Sequence, residues 1–295
     1  MRHADSSPTR IDGRIQSFAT IHVFKKTFSL TPQNHIIAFV FCLFCVHGFA
    51  QKGVEAGGWL GPTTYFGDLN PDYDFSHPGI GGGLIGKYIF NERIGLKFGA
   101  NYLYVHGNDL WHDNDFQQTR GLNFHSNVWE LGTELEFNFF PFDPGARDRF
   151  FTPFLSAGFG LFKFEPKATY EGNTQKLRML GTEGQNIGEE YPSTRFAGLL
   201  SGGLKYALNS RWILSLTVST RILSTDYLDD VSTTYPDLIV LESLRGNEAR
   251  IFSDPTLSSY AGKQRGDSVN KDSYNYIGIG LTYFFGGLIC PDISK

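Results

Sequence analysis

Residues 129–140 read WELGTELEFNFF, in which Trp129, Leu131, Thr133, Leu135, Phe137 and Phe139 alternate with Glu130, Gly132, Glu134, Glu136 and Asn138. Successive side chains of an extended chain point to opposite faces, so strict period two predicts a β-strand with one bulky apolar face and one acidic face. Few environments accept both faces at once.

The alternation recurs in six other segments, 79–90, 94–104, 150–164, 196–208, 211–224 and 274–285, and, blurred by glycines and Pro62, in a seventh, 53–67. In 94–104, Ile94, Leu96, Phe98, Ala100, Tyr102 and Tyr104 oppose Gly95, Lys97, Gly99 and Asn101. In 211–224, Trp212, Leu214, Leu216 and Val218 oppose Ser215, Thr217, Ser219 and Arg221. The connections alternate in length: 91–93 and 208–210 are tight and 141–149 is moderate, whereas 68–78, 106–124, 165–195 and 225–273 are long and polar. An even number of strands with short turns at one end and long loops at the other is the pattern of a transmembrane β-barrel. The fold class expected is therefore all-β, an eight-stranded antiparallel barrel, with short periplasmic turns, long extracellular loops and both termini in the periplasm.

A soluble barrel would turn its apolar face inward. Here the polar faces are crowded with Gly and Ser, which suit a narrow interior, and the apolar faces carry more bulk than eight strands can enclose. Aromatic residues also gather at strand ends: Tyr102, Tyr104 and Trp129 towards the long loops, and Tyr88, Phe90, Phe137, Phe139, Tyr206, Trp212, Tyr283 and Phe285 towards the short turns. Rings at two heights form the girdles of a membrane barrel. The polar face then lines the lumen, where Glu130, Glu134 and Glu136 require partners. Lys97, Lys205 and Arg221 are the expected ones. Lys87 shares its parity with Ile85 and Ile89, so its inclusion calls for a bulge or for snorkelling to the interface. A lumen filled with side chains is no pore.

Ahead of the first strand lies HIIAFVFCLFCVHGFAQ, in which an apolar run (36–46) precedes small residues at Gly48 and Ala50. This predicts a secretory leader cut after Ala50. The 35 residues before the run are long for a leader, and a start at Val23 would give the compact VFKKTFS. Phe41 and Phe44 precede Cys42 and Cys45, where lipid attachment requires a small residue, which disfavours a lipoprotein. The expected organisation is leader and extension 1–50, barrel 51–287 and periplasmic tail 288–295. Removing residues 1–50 takes five of the 26 basic and two of the 30 acidic residues, leaving 21 against 28 and Cys290 as the lone cysteine. An acidic chain is a poor partner for nucleic acid.

Motifs for chemistry are sparse. His125 and Ser126 are adjacent, but neighbours on a strand face opposite ways and cannot share a proton. GIGGGLIG (79–86) lies within a strand and fits close packing rather than a phosphate cradle. Asp226, Asp229 and Asp230, in the outer acidic stretch STDYLDDVSTTYPD, lack EF-hand spacing and read as a solvated loop. No cofactor, metal or catalytic set is expected.

EFNFFPFD (136–143), TPFLSAGFGLFKFEPKA (152–168), TDYLDDVS (225–232) and YIGIGLTYFFGGLICP (276–291) together resemble the PorG family of outer-membrane barrels in the type IX secretion and gliding machinery of Bacteroidetes. The likeness runs along most of 51–291 and includes the cysteine after the last strand. The chain departs from it in its N-terminal extension and at Trp129, where a His is expected. The resemblance implies a non-enzymatic role, docking a periplasmic ring of the lipoprotein PorK with PorN. Together with the orientation, it points to Asp143, Arg147, Asp148, Arg149 and Cys290 as docking residues. A structural or adhesive barrel with surface-binding loops is the alternative, and a lipid-modifying enzyme is disfavoured.

Overall fold

The computed structural model describes residues 53–258 and 261–286. The leader, its cleavage after Ala50, the start at Val23, Cys42, Cys45, Cys290 and the tail 288–295 lie outside the described residues.

The chain runs β1 (Gly53–Phe66), β2 (Gly79–Ile89), β3 (Ile94–Asn108), β4 (Asn123–Asn138), β5 (Phe151–Lys163), a side hairpin of β6 (Pro166–Tyr170) and β7 (Asn173–Lys176), then β8 (Thr194–Ala207), β9 (Trp212–Leu223) and β10 (Ser273–Phe284). Leaving out the hairpin, each strand pairs antiparallel with the next, β5 with β8, and β10 returns to β1. The eight strands therefore close, and closure leaves no unpaired edge, the condition for β-structure within lipid.

Local chemistry sets the short ends. In the β2–β3 turn, Asn91 Oδ1 accepts from the backbone N–H of Arg93 (2.8 Å) and Ile94 (2.9 Å). In the β8–β9 turn, Asn209 Oδ1 accepts from Arg211 (2.9 Å) and Trp212 (2.9 Å) in the same way. An Asn side chain that satisfies two N–H groups replaces the missing ladder bonds of a tight turn. At the other end the long connections fold into a cap. It includes the hairpin, short helices at Asp115–Arg120 and Leu177–Leu180, and the pair Leu238–Arg245 and Asn247–Ser253. Leu69, Phe124, Phe164, Leu177, Tyr191, Leu228, Val231 and Phe252 form the cap's share of an apolar core that continues into the barrel mouth.

Interior and exterior follow the alternation. Leu84 is 71% exposed, Leu131 and Phe159 each 67%, and Ile279 64%, while Glu130, Glu134 and Glu136 are buried. An apolar exterior of this extent is unstable in water and stable in hydrocarbon. Among the described residues no helix is long and apolar enough to cross a membrane; in this fold the strands do the crossing. The interior admits its side chains because selected wall positions are glycine. A Cβ at Gly83 would stand 2.2 Å from Asn101 Oδ1 and 2.7 Å from Trp59 Nε1, and one at Gly158 would stand 1.9 Å from the Thr133 carbonyl.

Phe159 pairs with Thr133 near mid-height. Phe159→Arg is expected to destabilise the membrane-inserted barrel by about 2–4 kcal/mol. Urea titration of the refolded barrel in lipid vesicles measures this.

Candidate functional site

Strand β4 supplies an acid to each of three tiers of the lumen. In the tier nearest the cap, Arg221 clasps Glu130 through Nε–Oε2 and Nη2–Oε1, each 2.9 Å. The Tyr274 hydroxyl donates to Glu130 Oε2 at 2.6 Å and the Asn101 amide to Oε1 at 2.7 Å, while Trp59 Nε1 donates to Asn101 Oδ1 at 2.7 Å. Arg221 also lies 4.6 Å from the centre of the Tyr276 ring, which stacks on Trp59 at 3.9 Å. In the middle tier Lys97 pairs with Glu134 at 2.8 Å, and Ser156 and Ser201 donate to Glu134 Oε2 at 2.7 and 2.6 Å. In the third tier Glu136 meets Lys205 at 2.6 Å and Lys87 at 3.0 Å, with Glu55 3.7 Å from Lys87. Every one of these eight charged residues is buried. Four carboxylates thus face four cations, the arrangement that lets charges remain out of water.

Both mouths are closed. On the cap side of the Arg221 tier lies the apolar core of the cap, which Phe162, Leu199 and Tyr274 join at the level of Glu130 and Arg221. Below Glu136, the connection between β4 and β5 turns back into the barrel. Its Phe142 is buried with Ala207, Ile213 and Phe284, and the ring lies 5.1 Å from Lys205 Nζ. The cavity beneath, lined by Glu55, Asn138, Phe142, Lys205 and Phe284 among others, has about 10 Å³, room for one water. The described lumen is a packed core rather than a conduit.

Three features depart from the sequence reading. Lys87 needs neither bulge nor snorkelling, because β2 pairs regularly with both neighbours and turns Ile85, Lys87 and Ile89 inward together. Ile85 packs on the cap-side core and Ile89 on the Phe142 cluster, so apolar residues belong on that face at the two seals. Glu55 is a fourth lumen acid that sequence reasoning missed; its parity with Trp59 was hidden by Gly57, Gly58, Gly61 and Pro62. Asp226, Asp229 and Asp230 do not form a solvated loop: all three are buried within the cap.

There the acids hold the cap by hydrogen bonds. The Tyr65 hydroxyl lies between Asp229, to which it donates, and Asp272 Oδ1 at 3.3 Å. Asp272 Oδ2 accepts from Leu228 N (2.8 Å) and Asp229 Oδ1 from Val231 N (2.9 Å). Asp230 accepts from Thr182 and from the Tyr191 hydroxyl (2.6 Å), with Arg265 Nη2 at 3.8 Å. Asp226 Oδ2 accepts from Ser232 (2.8 Å), whereas its buried Oδ1 has no partner among the described residues. Arg120 is engaged by Asp109 through two bonds of 2.7 and 2.6 Å. Acids outnumber cations, and burial raises the carboxyls: Asp226 to about 7, Asp68 and Asp230 to about 6. Asp229 and Asp272 are also raised, by burial first and then by neighbouring carboxylates. Among the described residues no group of three or more His, Cys, Asp or Glu is arranged to hold a metal.

Ser126 faces inward and is buried, and its Oγ accepts from Glu165 N at 3.2 Å; His125 faces outward, so they form no dyad. At the opposite end Arg147, Asp148 and Arg149 are exposed on the β4–β5 connection. This connection is held by Asp143 N to the Arg149 carbonyl (2.9 Å), Asp143 Oδ1 accepting from Gly145 N (3.0 Å), and Arg149 to Glu92 (2.5 Å).

A family model described as a domain of unknown function, DUF6089, matches residues 34–256. No curated protein matches the sequence. Among solved structures the chain is similar to Neisserial surface protein A, with 10% identity over 78% of this chain and 96% of that one, TM-score 0.41. It is also similar to the N-terminal β-barrel domain of Pseudomonas aeruginosa OprF (12%, 80% and 98%, TM-score 0.37) and to the outer membrane enzyme PagL (15%, 77% and 97%, TM-score 0.31).

Two outcomes follow from the buried charges. Arg221→Met alone, or Glu130→Gln alone, is expected to cost about 3–5 kcal/mol because each strands a lumen partner, and the double variant less than the sum. Denaturant unfolding of the four proteins in one double-mutant cycle checks this. For the cap, folded carboxyl pKa values raised above the ordinary value of about 3.9 mean a contribution fully present below that value. It is lost as pH rises through about 6 to 7. Limited proteolysis of the cap is therefore expected to be faster at pH 8 than at pH 5, and Asp226→Asn to reduce the difference.

Proposed function

We propose that this chain, which belongs to the DUF6089 family, is a non-conducting, non-enzymatic outer-membrane barrel that docks the periplasmic ring of a type IX secretion machine. The observation that carries the reading is the sealed, charge-neutral lumen: a barrel filled by paired charges between two apolar plugs is suited to holding a partner rather than to passing a solute. The apolar exterior supplies lipid as the surrounding medium.

Orientation follows from loop length, with short turns in the periplasm and the cap outside. Both described barrel ends, Gly53 and Phe284, lie on the short-turn side and so also face the periplasm. The docking surface is then the β4–β5 connection. It presents Arg147, Asp148 and Arg149 beside an open groove of about 440 Å³ lined by Phe140, Pro141, Phe150 and Phe151. A charged rim around an aromatic recess, held rigid by the Asp143 bonds, is the composition of a protein-binding patch. The resemblance to the PorG family makes PorK and PorN the expected ring proteins, with Asp143 shaping the loop; Cys290, which the resemblance adds to the docking residues, lies outside the described residues.

A second reading, an adhesive barrel, is favoured by one feature: Tyr73, Phe75, Leu110, Trp111 and Phe116 are all exposed on the cap. The two readings separate in one experiment. Replacing Arg147, Asp148 and Arg149 together by alanine is expected to abolish recovery of the ring proteins with the barrel from outer membranes, and cargo secretion with it. The heat-dependent gel shift of the folded barrel should remain. Undiminished ring recovery removes this surface from the docking role; intact secretion with lost surface attachment after gene deletion supports the adhesive reading.

A further inference from the structure

The lipid-facing wall is not uniformly bulky. On β2 and β3 the outward positions Gly82, Gly86 and Ala100 carry little or no side chain, and the strand backbone itself forms the floor of a groove. Its upper part, about 760 Å³, is walled by Leu84, Tyr102, Trp129, Leu131 and Leu161. A second part, about 380 Å³, shares Leu84, Ala100 and Leu131 and continues past Phe98 to Gly86. A Cβ at Gly86 would meet nothing within 4 Å, so the space is open. The groove descends from the capped end towards mid-membrane, the course an acyl chain takes.

Its mouth is chemically distinct. Lys163, the last residue of β5, pairs in register with Trp129 and Thr194, is exposed, and lines the upper part. Among the described residues its ammonium makes no ion pair or hydrogen bond. Beside it are the exposed Thr194 and the Tyr102 hydroxyl, which donates to Asn127 Oδ1 at 3.0 Å. An unengaged ammonium with neighbouring hydroxyl and amide groups, at the height of the aromatic girdle, complements a phosphate on a sugar headgroup.

We infer that this groove is a lipid-binding site that seats one acyl chain of a phosphorylated, multiply acylated glycolipid, with the phosphate on Lys163. The choice of glycolipid rests on the orientation proposed above, which places the capped end in the outer leaflet. The apolar groove takes the chain, Lys163 the charge, and Thr194 and Asn127 the sugar hydroxyls.

The test is lipid retention by the refolded full-length barrel in phosphatidylcholine nanodiscs containing equal small fractions of diphosphoryl lipid A and phosphatidylglycerol. After transfer to detergent, native mass spectrometry counts bound lipid. The wild type is expected to retain lipid A over phosphatidylglycerol. Lys163→Glu, a surface change, is expected to lower that retention about fivefold. Gly86→Phe, which fills open space in the lower groove, is expected to lower it without altering the heat-dependent gel shift. Unchanged retention in Lys163→Glu overturns the site, and equal or greater retention of phosphatidylglycerol overturns the assignment of the glycolipid. If Gly86→Phe does not fold, Lys163→Glu decides alone. Failure of the barrel reading would look different: no heat-dependent shift and a chain soluble without detergent.

Discussion

Four glutamates and four cations sit inside a ring of eight strands, and the rest of the structure answers to the cost of keeping them there. An unpaired carboxylate in such an interior costs several kcal/mol, whereas a pair with its remaining lone pairs hydrogen-bonded can persist. Tyr274 and Asn101 finish Glu130, and Ser156 and Ser201 finish Glu134. With the charges inside, the bulky half of each alternating strand has only one direction left. The apolar exterior and the neutral lumen are two sides of one constraint, and lipid is the solvent that satisfies both.

The two seals follow from the same requirement. Water reaching Glu136 or Glu130 would weaken the pairing that holds the tiers together, and at each end apolar groups keep it out. Phe142 does so where the β4–β5 connection turns inward, and the cap core does so above Arg221. The connection therefore forms the plug with Phe142 on its inner side, while Arg147, Asp148 and Arg149 are exposed on its outer side. The cap differs in its chemistry, since its carboxyls exceed its cations and are accommodated by hydroxyl donors and backbone amides rather than by ion pairs alone.

Much of this is legible in the linear pattern alone. Period-two alternation is local, so it identified all eight barrel strands, and for 129–140 it also set which residues face inward. The alternation in loop length gave the even, closed topology. Reading failed where local pattern and tertiary role separate. Lys87 looked misplaced because Ile85 and Ile89 share its face, but those two belong to the apolar seals. Glu55 was lost among glycines that leave no contrast between faces. Asp226, Asp229 and Asp230 look like any polar loop, since the Tyr65, Thr182, Tyr191 and Arg265 groups that bury them come from distant parts of the chain.

The sequence by itself determined the strands, the facing of those whose alternation is clean and the need for buried acids to find cations, because each follows from chemistry within one or two residues of the position concerned. Only the tertiary structure decided which cation meets which acid, that Glu55 and Lys87 complete a neutral set, that Phe142 closes one mouth, and that the acidic stretch after β9 is a buried brace. These depend on barrel register and on contacts between segments far apart in the chain, where the energy of a pairing is set by burial and distance, neither of which a linear pattern contains.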